Sequence, residues 1–166
     1  MSRISLCAIL TALVVTVALP ADAFAQPRLG VHAGINTEGT DLFFGGSAQF
    51  GITLGDRMAQ GSLGFEVYPF IDNVFISRIN PNVYFNLLSS GGAEIYGGGG
   101  LMIKLERRDN VPDDLKNDTD LGINLVGGVM LSGANRNYRP FLELNQTIGG
   151  GTDFAVRGGV FFKLGR

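Results

Sequence analysis

The sequence predicts an all-β fold, an eight-stranded antiparallel up-and-down β-barrel, on three observations. After residue 26 the hydrophobic residues recur with a period of two rather than 3.6. Short clusters rich in Gly, Asn, Asp and Ser separate the alternating segments. Each segment has one uncharged face and one face that carries polar residues, which indicates a sheet with different surroundings on its two sides.

Residues 1–25 are predicted to be a cleavable signal peptide, and residues 26–166 a single barrel domain. Arg3 precedes an uncharged apolar run from residue 4 to residue 19, and Ala-Phe-Ala at 23–25 forms a small-x-small cleavage pattern. The run is short for a spanning helix, which needs about 20 apolar residues. Cleavage would remove one base, one acid and the only cysteine, so the net charge stays −2 and no disulfide can form.

Eight strands are predicted between the turn signals. Their bounds are 28–36, 42–54, 61–68, 76–88, 93–106, 120–132, 138–146 and 153–165. A clean apolar and polar split fits two architectures: a soluble barrel with the apolar face inside, or an outer-membrane barrel with that face toward lipid. Glycines interrupt the polar face, where a water-exposed strand would favour side chains with high β-propensity. The interior of an eight-stranded barrel is narrow, and glycine there makes room beside a large neighbour. The polar face, which contains the glycines, is therefore predicted to line the interior.

Four consecutive glycines at 97–100 lie within one of these strands. Gly98 and Gly100 are predicted to leave space in a crowded lumen near Tyr96 and Lys104. The alternative is a glycine-rich loop that divides the segment into two short strands.

The charged residues of the polar face form the candidate functional site, a lumen charge network. Its members are Glu66, Arg78, Glu94, Lys104, Glu106, Arg139, Glu143, Arg157 and Lys163. Buried charges are costly unless they are paired. Acids and bases in one narrow lumen therefore predict ion pairs and a plug rather than an open pore.

No cofactor and no metal site is predicted. His32 is the only histidine, and without the signal peptide there is no cysteine, so carboxylates are the only further strong ligands. The acidic segment with Asp113, Asp114, Asp118 and Asp120 lacks the complete calcium-loop spacing, which favours a solvated loop over a divalent-ion contact. The charge balance shows no basic excess for nucleic-acid binding.

With these features the chain resembles the small eight-stranded outer-membrane β-barrels of the OmpA/OmpX-like type. The resemblance lies in the alternation of every strand and in the segments NVYFNLL, AEIYGGGGLMIKLE and TDFAVRGGVFFKLG. It implies a location in the cell outer membrane, contact with outer-membrane lipids and insertion by the barrel assembly machinery. Members of this family have structural, adhesive and resistance roles.

Three functions are weighed. The favoured one is a monomeric, non-enzymatic integral outer-membrane barrel with a structural or minor surface role and a polar, plugged lumen. The second is a soluble exported barrel with inverted faces that binds an apolar ligand. The third is a lipid-modifying hydrolase in which Ser47 and Glu66 approach His32 from later strands, although a single buried histidine is more often a hydrogen-bonded filler.

Overall fold

A computed structural model describes residues 27–39, 41–69, 74–108, 117–131, 137–149 and 153–164. Eight antiparallel strands close into a barrel, in which neighbours in sequence pair and β1 also pairs with β8. They are β1 (Arg28–Asn36), β2 (Asp41–Leu54), β3 (Arg57–Tyr68), β4 (Val74–Ser90), β5 (Ala93–Arg108), β6 (Asn117–Leu131), β7 (Tyr138–Ile148) and β8 (Asp153–Lys163). The predicted fold class is confirmed. The predicted signal peptide and the acidic residues Asp113 and Asp114 lie outside the described residues.

The barrel has two ends, which we call the turn end and the loop end. The turn end holds the start of β1, the end of β8 and the β2–β3, β4–β5 and β6–β7 connections, and the other four connections form the loop end. At the turn end, Gly91 and Gly92 join β4 to β5 with φ angles of 59° and 86°. A two-residue turn with positive φ at both positions suits the twist of a hairpin and favours glycine. The predicted Ser-Ser-Gly-Gly separator is shorter than expected, because Ser89 and Ser90 belong to β4.

Side chains alternate between the lumen and the exterior along the strands. In β1, for example, His32 is buried in the lumen while Val31 and Ala33 are exposed outside. The predicted uncharged face is thus the outer surface, and the predicted polar face lines the lumen. Within the described residues, no helix is long and apolar enough to cross a membrane.

One irregularity lies in β4, near the turn end. Asn86 pairs with Tyr96 of β5, whereas Leu88 pairs with the preceding residue, Ile95. Leu87 is therefore the extra residue of a β-bulge, which reverses the inside and outside positions beyond it. Strand β4 extends two residues beyond the predicted segment at each end.

Strand β5 runs without a break through its four consecutive glycines, so the alternative of a dividing loop is wrong. A Cβ atom on Gly98 would collide with the backbone of Val83, and one on Gly100 would also collide with the backbone of β4. These glycines permit the close approach of β4 to β5. The atoms nearest to both glycines belong to β4, and not to Tyr96 or Lys104, near which the sequence predicted that these glycines leave space.

Five other lumen-facing glycines are each covered by the ring of the residue that pairs with them on the neighbouring strand. The pairs are Phe161 over Gly30, Phe43 over Gly34, His32 over Gly45, Tyr96 over Gly128 and Phe141 over Gly159. A ring packed over a cross-strand glycine fills the space that glycine leaves and helps to fix the strand register. The lumen thus contains an aromatic component that the polar residue types alone did not predict.

Candidate functional site: the lumen charge network

The centre of the lumen holds one guanidinium between two carboxylates. Arg157 of β8 is directly paired with Glu143 of β7, and its Nε donates a hydrogen bond of 2.5 Å to Glu143 Oε1. Arg157 Nη1 reaches across the lumen and donates one of 2.6 Å to Glu66 Oε1 of β3. Exposed fractions are only 4% for Arg157, 3% for Glu66 and 2% for Glu143. Arginine suits this position because its planar donors can bond two carboxylates at once.

Two tyrosines complete this central cluster. Tyr96 donates a hydrogen bond of 3.0 Å from its hydroxyl to Glu143 Oε2, and Arg157 Nη2 donates one of 3.3 Å to the Tyr84 hydroxyl. The two rings pack with their centroids 5.4 Å apart. Sequence reasoning did not include Tyr84, although its position on the inward parity of β4, two residues after Asn82, was a usable signal.

His32 lies beside this cluster, with Nε2 3.6 Å from Glu66 Oε1. Its ring contacts Phe43 and Phe141 edge-on at centroid distances of 6.4 Å each. Neither ring nitrogen has a hydrogen-bond partner among the described residues. A serine hydrolase requires its histidine to hydrogen-bond the nucleophilic hydroxyl. The placement of His32, enclosed by aromatic rings, therefore argues against the hydrolytic set with Ser47.

A layer of amides and hydroxyls lies next to the central cluster. Asn124 Nδ2 donates to Asn80 Oδ1 at 3.1 Å and to Asn82 Oδ1 at 3.4 Å, while Thr147 Oγ1 donates to Asn124 Oδ1 at 3.0 Å. All four side chains are buried. This layer connects β4, β6 and β7 across the interior.

The loop end contains a second ionic cluster. Arg78 forms an ion pair with Asp153, whose Oδ2 also accepts a hydrogen bond of 3.1 Å from Asn36 Nδ2. The Arg78 guanidinium lies over the ring of Tyr68 at 4.8 Å from the centroid. Asp153, at the start of β8, is thus the partner of Arg78, a member of the predicted network.

A third cluster lies on the inner wall near the same end. Lys104 Nζ is 2.9 Å from Glu106 Oε2 and 3.6 Å from Asp120 Oδ2. Glu106 also accepts a hydrogen bond of 2.5 Å from Arg108 Nε. Two basic side chains thus share Glu106, and Lys104 also bridges β5 to β6.

The remaining predicted members lie at the turn end. Arg139 donates to Glu94 at 3.2 Å, and both side chains are partly exposed. Lys163 lies apart from the network, because it is exposed at the last position of β8 and makes no ion pair with another described residue. Its cross-strand neighbour in β1 is Arg28, another base.

Comparisons with known proteins show which solved structures share this architecture. No protein-family model and no curated protein matches the chain. The chain is similar to the N-terminal β-barrel domain of Pseudomonas aeruginosa OprF, with 18% identity and a TM-score of 0.65 over 84% of this chain and 97% of that one. It is also similar to Neisserial surface protein A, with 15% identity and a TM-score of 0.57 over 84% and 95% of the two chains.

A third similar structure is Ail, the attachment invasion locus protein of Yersinia pestis. The identity is 9% and the TM-score 0.59, over 84% of this chain and 97% of Ail. All three are small outer-membrane barrels of eight strands. The predicted resemblance is confirmed at the level of the fold: this chain has the fold of a small outer-membrane β-barrel.

Proposed function

We propose that the chain is a monomeric, non-enzymatic integral protein of the outer membrane, with a structural or minor surface role and a lumen plugged by its own side chains. Its partners on this proposal are outer-membrane lipids and the barrel assembly machinery that inserts it after export. Neither a cofactor nor a nucleic acid is part of this function.

The observation that carries the proposal is the direction of the two strand faces. Large apolar side chains point outward on strand after strand; Leu121 in β6, for example, is 69% exposed. Charged and amide side chains point into the lumen and are buried. A water-soluble protein rarely exposes a continuous apolar surface of this kind, whereas in an outer-membrane barrel such a surface contacts lipid. Strands of 9 to 17 residues also meet the about 9–11 residues that a tilted spanning strand needs.

The filled interior supports the proposed plug. The central cluster joins β3, β4, β5, β7 and β8, and the amide layer lies beside it. The interior of an eight-stranded barrel is just wide enough for side chains to fill. Paired charges in this space hold one another in place and leave little room for a continuous water path.

The alternative of a soluble barrel with an apolar ligand needs an apolar interior. The lumen instead buries Glu66, Glu143 and Arg157 at its centre. Transfer of these charges to the outside of the barrel would require every strand to change register by one residue. The observed orientation therefore favours the membrane protein.

Cell fractionation with a gel-mobility assay tests the membrane part of the proposal. The protein is expected in the outer-membrane fraction, and its mobility in detergent gels is expected to change on boiling, because the closed barrel resists detergent until heated. Recovery from the periplasm without detergent would overturn the proposal. Planar-bilayer recording tests the plug: steady ion conductance through the purified barrel would contradict a filled lumen.

A further inference from the structure

The central cluster of the lumen contains more acids than bases. Glu66 and Glu143 are both bonded to the guanidinium of Arg157, so two negative charges face one positive charge. The two tyrosines of the cluster add no charge at neutral pH. One negative charge is therefore in excess among side chains that are almost fully buried. An uncompensated buried charge is strongly destabilising, so a further cation is expected beside the cluster.

His32 is placed to supply that cation. Its Nε2 lies 3.6 Å from Glu66 Oε1, the same oxygen that accepts a hydrogen bond from Arg157. Arg78, the cross-strand neighbour of Glu66, is already balanced by its ion pair with Asp153. Protonation of the imidazole would therefore place a positive charge directly beside the excess negative one.

The strand register holds the imidazole next to Glu66. His32 of β1 and Glu66 of β3 are both paired with Gly45 of β2, the strand between them. A Cβ atom on Gly45 would collide with His32 Nε2, so the missing side chain is what lets the ring extend toward Glu66. Phe43 and Phe141 contact the ring edge-on. The imidazole is thus enclosed beside the carboxylate, in a space that water hardly reaches.

The surroundings of His32 favour a charged ring over a hydrogen-bonded filler. A filler would be fixed by a partner on a ring nitrogen, and neither nitrogen has one within the described part of the chain. The part of β2 beside the ring contributes only Gly45 and Phe43. The titratable or charged side chains of the other strands around this space are Glu66 and Tyr68 of β3, Arg78 and Tyr84 of β4, Tyr96 of β5, Glu143 of β7 and Arg157 of β8.

We propose that His32 is a proton-binding site of the lumen, where an imidazolium pairs with Glu66 and cancels the excess charge of the central cluster. The plug is then sensitive to pH, because histidine exchanges its proton between about pH 5 and pH 8. The stabilising pair is present in acidic surroundings and is lost as the pH rises and the ring becomes neutral. This inference uses the filled lumen of the proposed function but not its location in the outer membrane.

The charge of the ring can be measured directly, because His32 is the only histidine of the chain. The full barrel is labelled with nitrogen-15, purified without a histidine tag and studied in detergent micelles by long-range proton–nitrogen NMR. An imidazolium gives two similar nitrogen shifts, whereas a neutral ring gives two widely separated ones. The imidazolium is expected at about pH 6. A neutral ring at that pH would identify His32 as an uncharged filler and overturn the proposal.

Two glutamate variants test whether Glu66 is the cause. In Glu66→Gln, Arg157 and Glu143 balance each other, so the buried ring no longer has an excess charge to cancel and is expected to be neutral at the same pH. Glu94→Gln is the matched control, because Glu94 lies in a partly exposed ion pair at the turn end, and it is expected to leave His32 charged. An equally charged ring in Glu66→Gln would refute the pairing with Glu66.

Urea unfolding tests the consequence for stability. The midpoint of the parent barrel is expected to be about 0.5 M higher at about pH 6 than at about pH 8, since the ion pair is lost with the proton. His32→Gln cannot bind the proton, so its midpoint is expected to be the same at both pH values. A pH dependence that persists unchanged in His32→Gln would belong to another group and would refute the pH-sensitive plug.

Gel mobility before and after boiling reports folding in the same samples. If His32→Gln fails to form a heat-modifiable barrel, the ring spectra of the parent and of Glu66→Gln still decide the question. Because fractionation does not depend on the charge of one histidine, a neutral His32 in a normally inserted barrel would reject this inference alone.

Discussion

Replacement of Arg157 by methionine is expected to destabilise the barrel by about 3–5 kcal/mol, the usual cost of removing one partner from a buried ion pair. Methionine retains much of the volume but leaves Glu66 and Glu143 facing each other without the guanidinium that bonds both. Both carboxylates are almost inaccessible to water, so neither gains solvation in return. The large cost follows from the two uncompensated charges rather than from lost packing.

Urea unfolding of the refolded barrel, followed by the fraction that retains its unheated gel mobility, measures this loss. With a slope of about 2 kcal/mol per molar urea, a loss of 4 kcal/mol lowers the unfolding midpoint by about 2 M. The matched control is Arg139→Met, since Arg139 pairs with Glu94 in a partly exposed position at the turn end. That substitution is expected to cost less than about 1 kcal/mol.

A triple variant separates charge from shape. With Arg157→Met, Glu66→Gln and Glu143→Gln together, the lumen centre has no charge to leave unpaired, and most of the lost stability is expected to return. The reasoning is refuted if Arg157→Met costs less than about 1 kcal/mol, or if the triple variant is as unstable as the single one.

Three further predictions concern the backbone, the outer surface and the histidine. Gly98→Ala is expected to lower the urea midpoint or block folding, because its Cβ would collide with the β4 backbone. In the control, Gly127→Ala, the Cβ meets no atom within 4 Å, and this variant is expected to behave like the parent. Equal urea midpoints for the two variants would contradict the close approach of β4 to β5. Leu142→Arg, at the middle of β7 on the outer face, is expected to cost about 2–4 kcal/mol in a bilayer, and no loss in lipid would indicate a water-exposed face. His32→Ala is expected to leave the acyl chains of outer-membrane lipids unchanged by mass spectrometry; a change that depends on His32 would favour the hydrolase.

The strands could be predicted because each strand shows a recognisable pattern in its own residues. Alternation with period two in β1 or β8 reflects only the neighbouring residues of the same segment, and turn residues mark its ends. The bulge at Leu87 was missed, because one extra residue in β4 is defined by its pairing with β5 and not by its own pattern. The aromatic rings of the lumen, such as Phe161 and Phe141, were missed because their residue type does not distinguish an inner face from a lipid-facing one.

The sequence by itself determined which residues share a face, and its glycines indicated that the polar face points inward. It could not determine which charges meet. Arg157 and Glu66 are 91 positions apart, and Arg78 and Asp153 are 75 apart, so closure of the barrel alone brings them together. Closure also leaves Lys163 beside Arg28 at an edge rather than among the acids. Face identity is a property of single strands, whereas ion pairing across a lumen depends on the stagger of all eight strands, which only the tertiary structure decided.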